Sequence, residues 1–260
     1  MLTPTRTPTA ERAGAAAVAV LAIERAAGGG HAITELRRGT RVAPRILDRG
    51  VTGPGAAVRA AFVPTQAGPL SGDRDSTRIV VGAGATLIVE PVAATLALPG
   101  AARTVLTLDI TVRQGGRLVF DEGPLIVAAG AFVERRCTIE LEAGAVAAVR
   151  ETVVLGREGE PPGALDSATR VTLAGVALLH DGLRFDARDA GHVALSPDHR
   201  VIASVSLLGL RPRPIVSGSL DLEGPGALLR VTGSTTSALE PALACAWTAW
   251  AAGTRRHSGI

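Results

Sequence analysis

Three carboxylates in this 260-residue chain stand where an acid is costly. Asp73 follows Gly72 in the turn GPLSGDR at residues 68 to 74, Glu151 sits in the apolar segment VRETVVLG, and Asp181 lies in ALLHDGLRF. Each context favours burial, where an ionised acid must be paired, hydrogen-bonded or wetted. One reading is a salt bridge to one of the many arginines. The other is a water-filled channel or an interface lined by oxygen ligands, and three such residues add weight to it.

Other constellations carry less. His192 and His199 in HVALSPDH, with Asp198 beside the second, match no strong metal-ligand spacing and read as loop histidines. His180 precedes Asp181, but neighbours on a strand point to opposite faces and do not cooperate directly. GGGH at residues 28 to 31 fits a phosphate nest or a hairpin loop, and no helix follows it, which favours the loop. A Walker A loop is impossible without Lys, and there is no GxSxG elbow, no HExxH and no GxGxxG opening a helix after a strand.

Composition narrows the class further. Hydrophobic residues make up 47% of the chain, enough for a sizeable core, and 31 Gly with 16 Pro supply turns rather than helix interiors. The net charge of +3 comes without Lys or Tyr, arginines alternate with acids, and aromatic residues are only 2%, which speaks against nucleic acid. Cys137 and Cys245 lie far apart and read as isolated thiols in a reducing, cytoplasmic setting. Residues 14–23, GAAAVAVLAI, have the dimensions of a signal peptide, but Glu11 and the missing cleavage site favour a buried first strand, and the run is too short to span a bilayer.

The elements that must hold the acids are strands. Leu106, Leu108, Ile110 and Val112 alternate with Thr107, Asp109, Thr111 and Arg113, and Cys137, Ile139 and Leu141 alternate with Arg136, Thr138, Glu140 and Glu142. Strand-turn-strand units recur around Gly84, Gly116, Gly144 and Gly175, with a later relative at Gly226. A repeat of about thirty residues suggests stacked layers as in a β-helix, with a run of sandwich hairpins as the alternative. GREGEPPGALDSATR at residues 156 to 170 reads as a surface loop. Ser237 and Glu240 have capping-box spacing before Leu239, Leu243, Trp247 and Trp250, predicting a C-terminal helix ending at Gly253 whose tryptophan stripe either packs on the core, the favoured reading, or forms a docking surface. The expectation is an all-β, β-helical domain over residues 13–260 with a C-terminal helix, behind a loose tail at 1–12.

GPLSGDR, followed by GAGATLIVEPVAAT, resembles the opening of the urease accessory protein UreD family, also called UreH. RLVFDEGPLIVAAGA at residues 117 to 131 is similar to the family's second block, and ETVVLGR at 151 to 157 to the acidic strand and GR that follow. The segments occur in family order over residues 13 to 252, as in a divergent member, and Gly68, Pro69, Gly72, Gly156 and Arg157 are its structural positions. The resemblance implies a β-helical, non-enzymatic cytoplasmic protein that binds apo-urease with UreF-type and UreG-type partners. It further implies a scaffold for nickel insertion with a polar passage for Ni²⁺ in transit and no stably bound cofactor, nucleic acid or membrane partner. Asp73, Glu151 and Asp181 are the residues it assigns to that passage or to a partner contact. A β-solenoid enzyme acting on polysaccharide, with Asp73 and Glu151 as acid and base, and a non-catalytic β-structural binding module are the competing readings.

Overall fold

The protein, seen as a computed structural model, is described over residues 17–50, 56–186, 199–213 and 215–256. In chain order its first strands are β1 (Ala19–Arg25), β2 (His31–Arg37), β3 (Val42–Asp48), β4 (Val58–Pro64), β5 (Arg74–Val81), β6 (Thr86–Val89) and β7 (Thr95–Ala97). The long central strands are β8 (Thr104–Val112), β9 (Arg117–Val127), β10 (Phe132–Leu141), β11 (Val146–Leu155), β12 (Ala164–Leu173) and β13 (Val176–Phe185). The chain closes with β14 (Val201–Leu208), β15 (Leu220–Asp221), β16 (Gly226–Gly233) and α1 (Thr236–Arg256).

Two sheets stack on each other. The first runs β13-β12-β10-β8-β5-β1-β2, and the second runs β15-β16-β14-β11-β9-β6-β4-β3 with β7 also paired to β9. Strands β1, β5, β8, β10 and β12 form a continuous parallel ladder in the first sheet. Strands β4, β6, β9 and β11 form its counterpart in the second. Each sheet ends in antiparallel strands, β13 and β2 in one, β14 to β16 and β3 in the other. The all-β expectation is met as a stack resembling a β-solenoid.

The thirty-residue repeat is the coil of this stack. Each unit lays one strand on the first sheet, crosses through a glycine turn, and lays the next on the second. Gly84, Gly115 and Gly144 take left-handed φ values of 61°, 62° and 70° at these crossings, which a Cβ would oppose. The turns stack as well: the Gly84 N–H donates to Gln114 O at 3.0 Å and the Gly115 N–H to Ala143 O at 3.2 Å.

The repeat fails at its end. Gly175 does not cross between sheets but closes the antiparallel β12–β13 hairpin, and Gly226 begins β16 rather than filling a turn. The segment at residues 156 to 170 is also shorter as a loop than expected, because Ala164–Arg170 opens β12. Its inward residues Ser167 and Thr169 are polar, which removes the alternation that marks a strand.

Residues 14–23 contribute to the buried strand β1 from Ala19 onward, and those before residue 17 lie outside the described residues, as does the tail. Helix α1 lies on the outer face of the second sheet. Leu239, Leu243, Ala246 and Trp250 pack against Val146, Val205, Leu207 and Leu229. The tryptophan stripe is thus core packing, with Trp250 only 1% exposed. The helix starts one residue before Ser237, and the side chain that accepts from the Ala238 N–H at 3.2 Å is that of Thr235. Glu240 faces Arg150 of the sheet instead of closing a capping box, at 2.5 Å. The helix runs through Gly253 to Arg256. Among the described residues no helix is long and apolar enough to cross a membrane.

Ala174 is the one non-glycine residue described with positive φ, at 49°, and with Gly175 at 79° it forms the β12–β13 turn. Left-handed backbone costs an alanine about 1–2 kcal/mol, while glycine loses about 0.5–1 kcal/mol of chain entropy. Ala174→Gly therefore stabilises the fold by about 0.5–1 kcal/mol, measured as a higher denaturant midpoint at unchanged slope.

Candidate functional site: a polar layer between the sheets

The space between the sheets holds two apolar clusters rather than one core. The first is built on Ile79, Ile110, Phe120, Cys137, Ile139 and Val149. The second is built on Leu125, Val133, Val153, Leu165 and Ile202. On β10 the residue between Val133 and Cys137 on the inward row is Arg135, and on β11 the residue between Val149 and Val153 is Glu151. The inward rows of β12 and β13 carry Ser167, Thr169 and Asp181 at the same level. In-register pairing fixes this alignment: Arg135 lies opposite Ser167, Cys137 opposite Thr169, Thr169 opposite Asp181, and Glu151 opposite Ser204. A polar layer therefore crosses the stack between the two apolar clusters.

Glu122 joins it from β9, where Leu118 and Phe120 precede it on the inward row. The β9–β11 register shifts between Arg150 and Thr152, so Glu151 has no direct partner on β9. The Gly123 φ of 77° and the Gly123 N–H bond to Asp121 Oδ1 at 3.0 Å mark the bulge. Bulges shift the alternation of a strand, and here Leu125 and Val127 take the inward row beyond it.

Arg135, only 6% exposed, is the hub. Its Nη2 lies 2.6 Å from Glu122 Oε2 and 2.5 Å from Glu151 Oε1. Its Nη1 donates to Ser167 Oγ at 3.4 Å and Thr169 Oγ1 at 3.5 Å. Burial opposes the guanidinium charge, but Glu122 and Glu151 outweigh it and raise the Arg135 pKa well above the ordinary value. Burial in turn lifts Glu122 above the usual carboxylate range despite Arg135, and the nearby Glu151 adds to the lift. Deeper in the layer, Asp181 takes a two-pronged ion pair from Arg230, with Nη1 to Oδ1 at 3.0 Å, and Arg230 Nε donates to Ser204 Oγ at 3.0 Å.

Two cavities meet at this hub. The outer one, about 130 Å³, has a largely apolar wall that includes Phe62, Leu106 and Phe120; its polar side is formed by Asp75, Thr77, Thr107, Asp121, Glu122 and Arg135, and Pro91, Val92 and Ala93 in its lining are exposed. The inner one, about 20 Å³, is lined by Glu122, Arg135, Glu151, Ser167, Asp181 and Ser204 among others, and none of its lining residues is exposed. Glu122 and Arg135 belong to both walls. Water needs about 10–15 Å³ of such space, so the inner cavity takes about one and the outer cavity several. The 32% of its side-chain surface that Glu122 keeps accessible faces these cavities.

Of the three acids singled out in the sequence, Glu151 and Asp181 are brought into one cavity and Asp73 is not. Asp73 caps its own turn, accepting the Leu70 N–H at 2.7 Å, and pairs with Arg41 Nη1 at 2.9 Å. Arg41 Nε also reaches Asp75 Oδ2 at 2.9 Å, so Asp73 connects to the outer cavity through one buried guanidinium. Burial raises the Asp75 pKa and Arg41 only partly offsets it. Gly68 and Gly72 have φ of 103° and 86°, and a Cβ on Gly68 would sit 2.7 Å from Leu70 N. Thr104 Oγ1 donates to Leu70 O and the Leu98 N–H to Pro69 O, each at 2.9 Å, which pins the turn to the segment after β7. Gly156 has φ 80° with Pro161 O 2.6 Å from a Cβ, while Arg157 is exposed and paired with Glu160, whose pKa that pairing lowers to about 2.

The remaining candidates separate from the layer. His180 is exposed on the outer face of β13, opposite to Asp181. His199 Nδ1 lies 3.0 Å from Thr232 Oγ1, while His192 and Asp198 lie outside the described residues. GGGH is the β1–β2 hairpin loop, with Ala26 and Gly30 closing it and His31 Nε2 accepting the Thr86 N–H at 3.0 Å. Cys137 is buried beside Arg135 and Cys245 is exposed on α1. Of Asp73 and Glu151, which a glycosidase reading would pair, only Glu151 lines either of these two cavities.

Arg135, Glu122 and Asp75 are functional candidates that strand reading passed over. Arg135 was one step from discovery: extending the Cys137, Ile139, Leu141 alternation backwards by two residues lands on it.

The layer makes two stability predictions. Arg135→Met strands two buried carboxylates and costs about 3–5 kcal/mol at neutral pH, read by denaturant unfolding. Glu122 has a raised folded pKa, so its ionisation penalises folding from just above its unfolded pKa, near 4.5, upward. Glu122→Gln is accordingly at least as stable as the parent at pH 7, and its advantage shrinks as pH falls toward 4.5.

The chain matches the family described as UreD urease accessory protein over residues 15–258. It is 36% identical over 239 residues to urease accessory protein UreD 1 of Streptomyces griseus, covering 89% of this chain and 90% of that protein. It is 36% identical over 243 residues to urease accessory protein UreD of a Parafrankia species, covering 81% and 80% respectively. With UreD 1 of Saccharopolyspora erythraea the identity is 36% over 185 residues, 68% of this chain and 72% of the relative. These relatives carry the names of accessory proteins, not of catalysts, and the match spans both sheets, the polar layer and α1; the chain belongs to the UreD family of urease accessory proteins.

Proposed function

We propose that this protein acts as a scaffold in nickel-dependent maturation of the urease active site, with UreF-type and UreG-type partners and apo-urease. In this reading the polar layer is a passage for Ni²⁺ in transit, and no cofactor is held stably. The observation that carries it is the pair of cavities meeting at Glu122 and Arg135, where carboxylate and hydroxyl oxygens interrupt otherwise apolar walls.

The chemistry suits transfer. Ni²⁺ accepts carboxylate and water oxygen as well as imidazole, and an ion moves on only if each site along its route is weak. Neither cavity wall contains a His or Cys side chain. The inner cavity has room for about one water, so an ion entering it exchanges hydration for oxygens of Glu122, Glu151, Ser167 and Ser204, while Asp181 stays held by Arg230. Asp73 and Asp75, tied by Arg41, stand at the outer end, where Asp73 serves as a contact for the ion or a partner.

Glu151→Gln tests this without unbalancing the hub, since Arg135 keeps Glu122 as a single counter-charge. The variant is expected to co-purify with its partners and urease, keep its unfolding free energy within about 1 kcal/mol of the parent, and deliver less nickel to urease, read by metal analysis of the purified enzyme. Undiminished nickel content would remove the passage.

A further inference from the structure

We infer that Arg25, His31 and Arg117 form a binding site for a doubly charged oxyanion of the phosphate class, where the β1–β2 hairpin meets the starts of β6 and β9. None of the three lines either cavity of the polar layer, so the inference stands apart from the nickel passage.

The backbone brings the three residues together. Arg25 ends β1 and is the register partner of His31, which opens β2. The His31 ring reaches the second sheet, where its Nε2 accepts the Thr86 N–H at 3.0 Å. Thr86 opens β6 and is the register partner of Arg117, which opens β9. Arg25 lies beside the GGGH loop, since a Cβ on Gly29 would sit 4.0 Å from its Nη2. Arg25 is exposed and the other two are half-buried, so an ion from solvent can approach the cluster.

The chemistry of the cluster is one-sided. With Nε2 of His31 accepting, the ring proton sits on Nδ1 and makes it a donor. Nδ1 of His31 and Nε of Arg117 are two of the three buried side-chain nitrogens without a hydrogen-bond partner among the described residues. Among those residues neither Arg25 nor Arg117 forms an ion pair. Burial first, and the Arg25 charge second, hold the pKa values of both His31 and Arg117 below their ordinary values. Crowded cations and unmet donors both cost stability, and an anion relieves both. Two guanidinium charges and a neutral imidazole N–H match a dianion with several acceptor oxygens, whereas a monoanion leaves one charge uncompensated.

The test is calorimetric titration of the purified full-length chain with sodium phosphate, at constant ionic strength and at a slightly alkaline pH where the dianion dominates. Saturable binding is expected, weakened at least about tenfold in Arg117→Gln and in Arg25→Gln. Arg170→Gln removes the same charge from an exposed position on β12 and is expected to change the affinity less than about twofold. Sulfate competes with phosphate, and acetate at equal ionic strength does not. Phosphate raises the unfolding midpoint of the parent and of Arg170→Gln but not of Arg117→Gln. Phenyl phosphate binding at least as tightly as the inorganic ion assigns the site to a phosphate group on a larger molecule, and weaker binding assigns it to the free ion. A folded parent that binds no phosphate saturably overturns the inference. Equal losses in Arg117→Gln and Arg170→Gln overturn it too, since they mark unspecific charge attraction. Should Arg117→Gln not fold, Arg25→Gln at its exposed position carries the same expectation, and unchanged phosphate affinity there overturns the inference equally.

Discussion

A guanidinium between two buried carboxylates organises this molecule. Arg135 reaches from β10 of one sheet to Glu122 and Glu151 on β9 and β11 of the other, so the sheets are tied by charge at the level where apolar packing is interrupted. Above and below that level the sheets meet through aliphatic side chains. Buried ion pairs seldom add net stability over well-packed apolar residues, and removing one member is far worse than never having had the set. The arginine is therefore the member the fold must keep as long as it keeps both acids.

Parallel pairing is what makes such a layer constructible. In-register parallel strands align residues of successive coils, so one polar position per strand becomes a continuous row across the sheet. The pairing of Leu106, Arg135, Ser167 and Leu183 across β8, β10, β12 and β13 shows the row entering and leaving the polar zone within four strands. A slip of one residue in β10 would turn Arg135 outward and bring Glu134 or Arg136 into the interior. The β9 bulge just after Glu122 then returns Leu125 and Val127 to the inward row, so that the apolar packing resumes beyond the layer.

The legibility of the sequence follows the same division. Where inward rows are apolar, as in Leu108, Ile110 and Val112 or Cys137, Ile139 and Leu141, alternation reveals the strand and its buried face. Where the polar layer crosses, alternation vanishes: Leu165, Ser167 and Thr169 resemble loop composition, and the opening of β12 is hidden inside GALDSATR. Arg135 escapes for that reason too, since an arginine on an inward row looks like the end of a strand. Glu151 and Asp181 stand out because their flanks are apolar on both sides. Glu122 continues the alternation of Leu118 and Phe120, but the bulge after it moves the inward row to Leu125 and Val127 and blurs the period across β9. At the helix, Thr235 rather than Ser237 caps because Glu240 is drawn to Arg150 on the sheet, a tertiary contact that overrides the local capping box.

Charge balance links the layer to its proposed cargo. Asp73, Asp75, Glu122, Glu151 and Asp181 are each paired to Arg41, Arg135 or Arg230, which sets five carboxylates against three guanidinia. Burial lifts the Asp75 and Glu122 pKa values, the response expected of carboxylates not fully compensated by their arginines. The deficit of positive charge is spread over two connected cavities, and protonation of these acids is the means by which the interior lowers it.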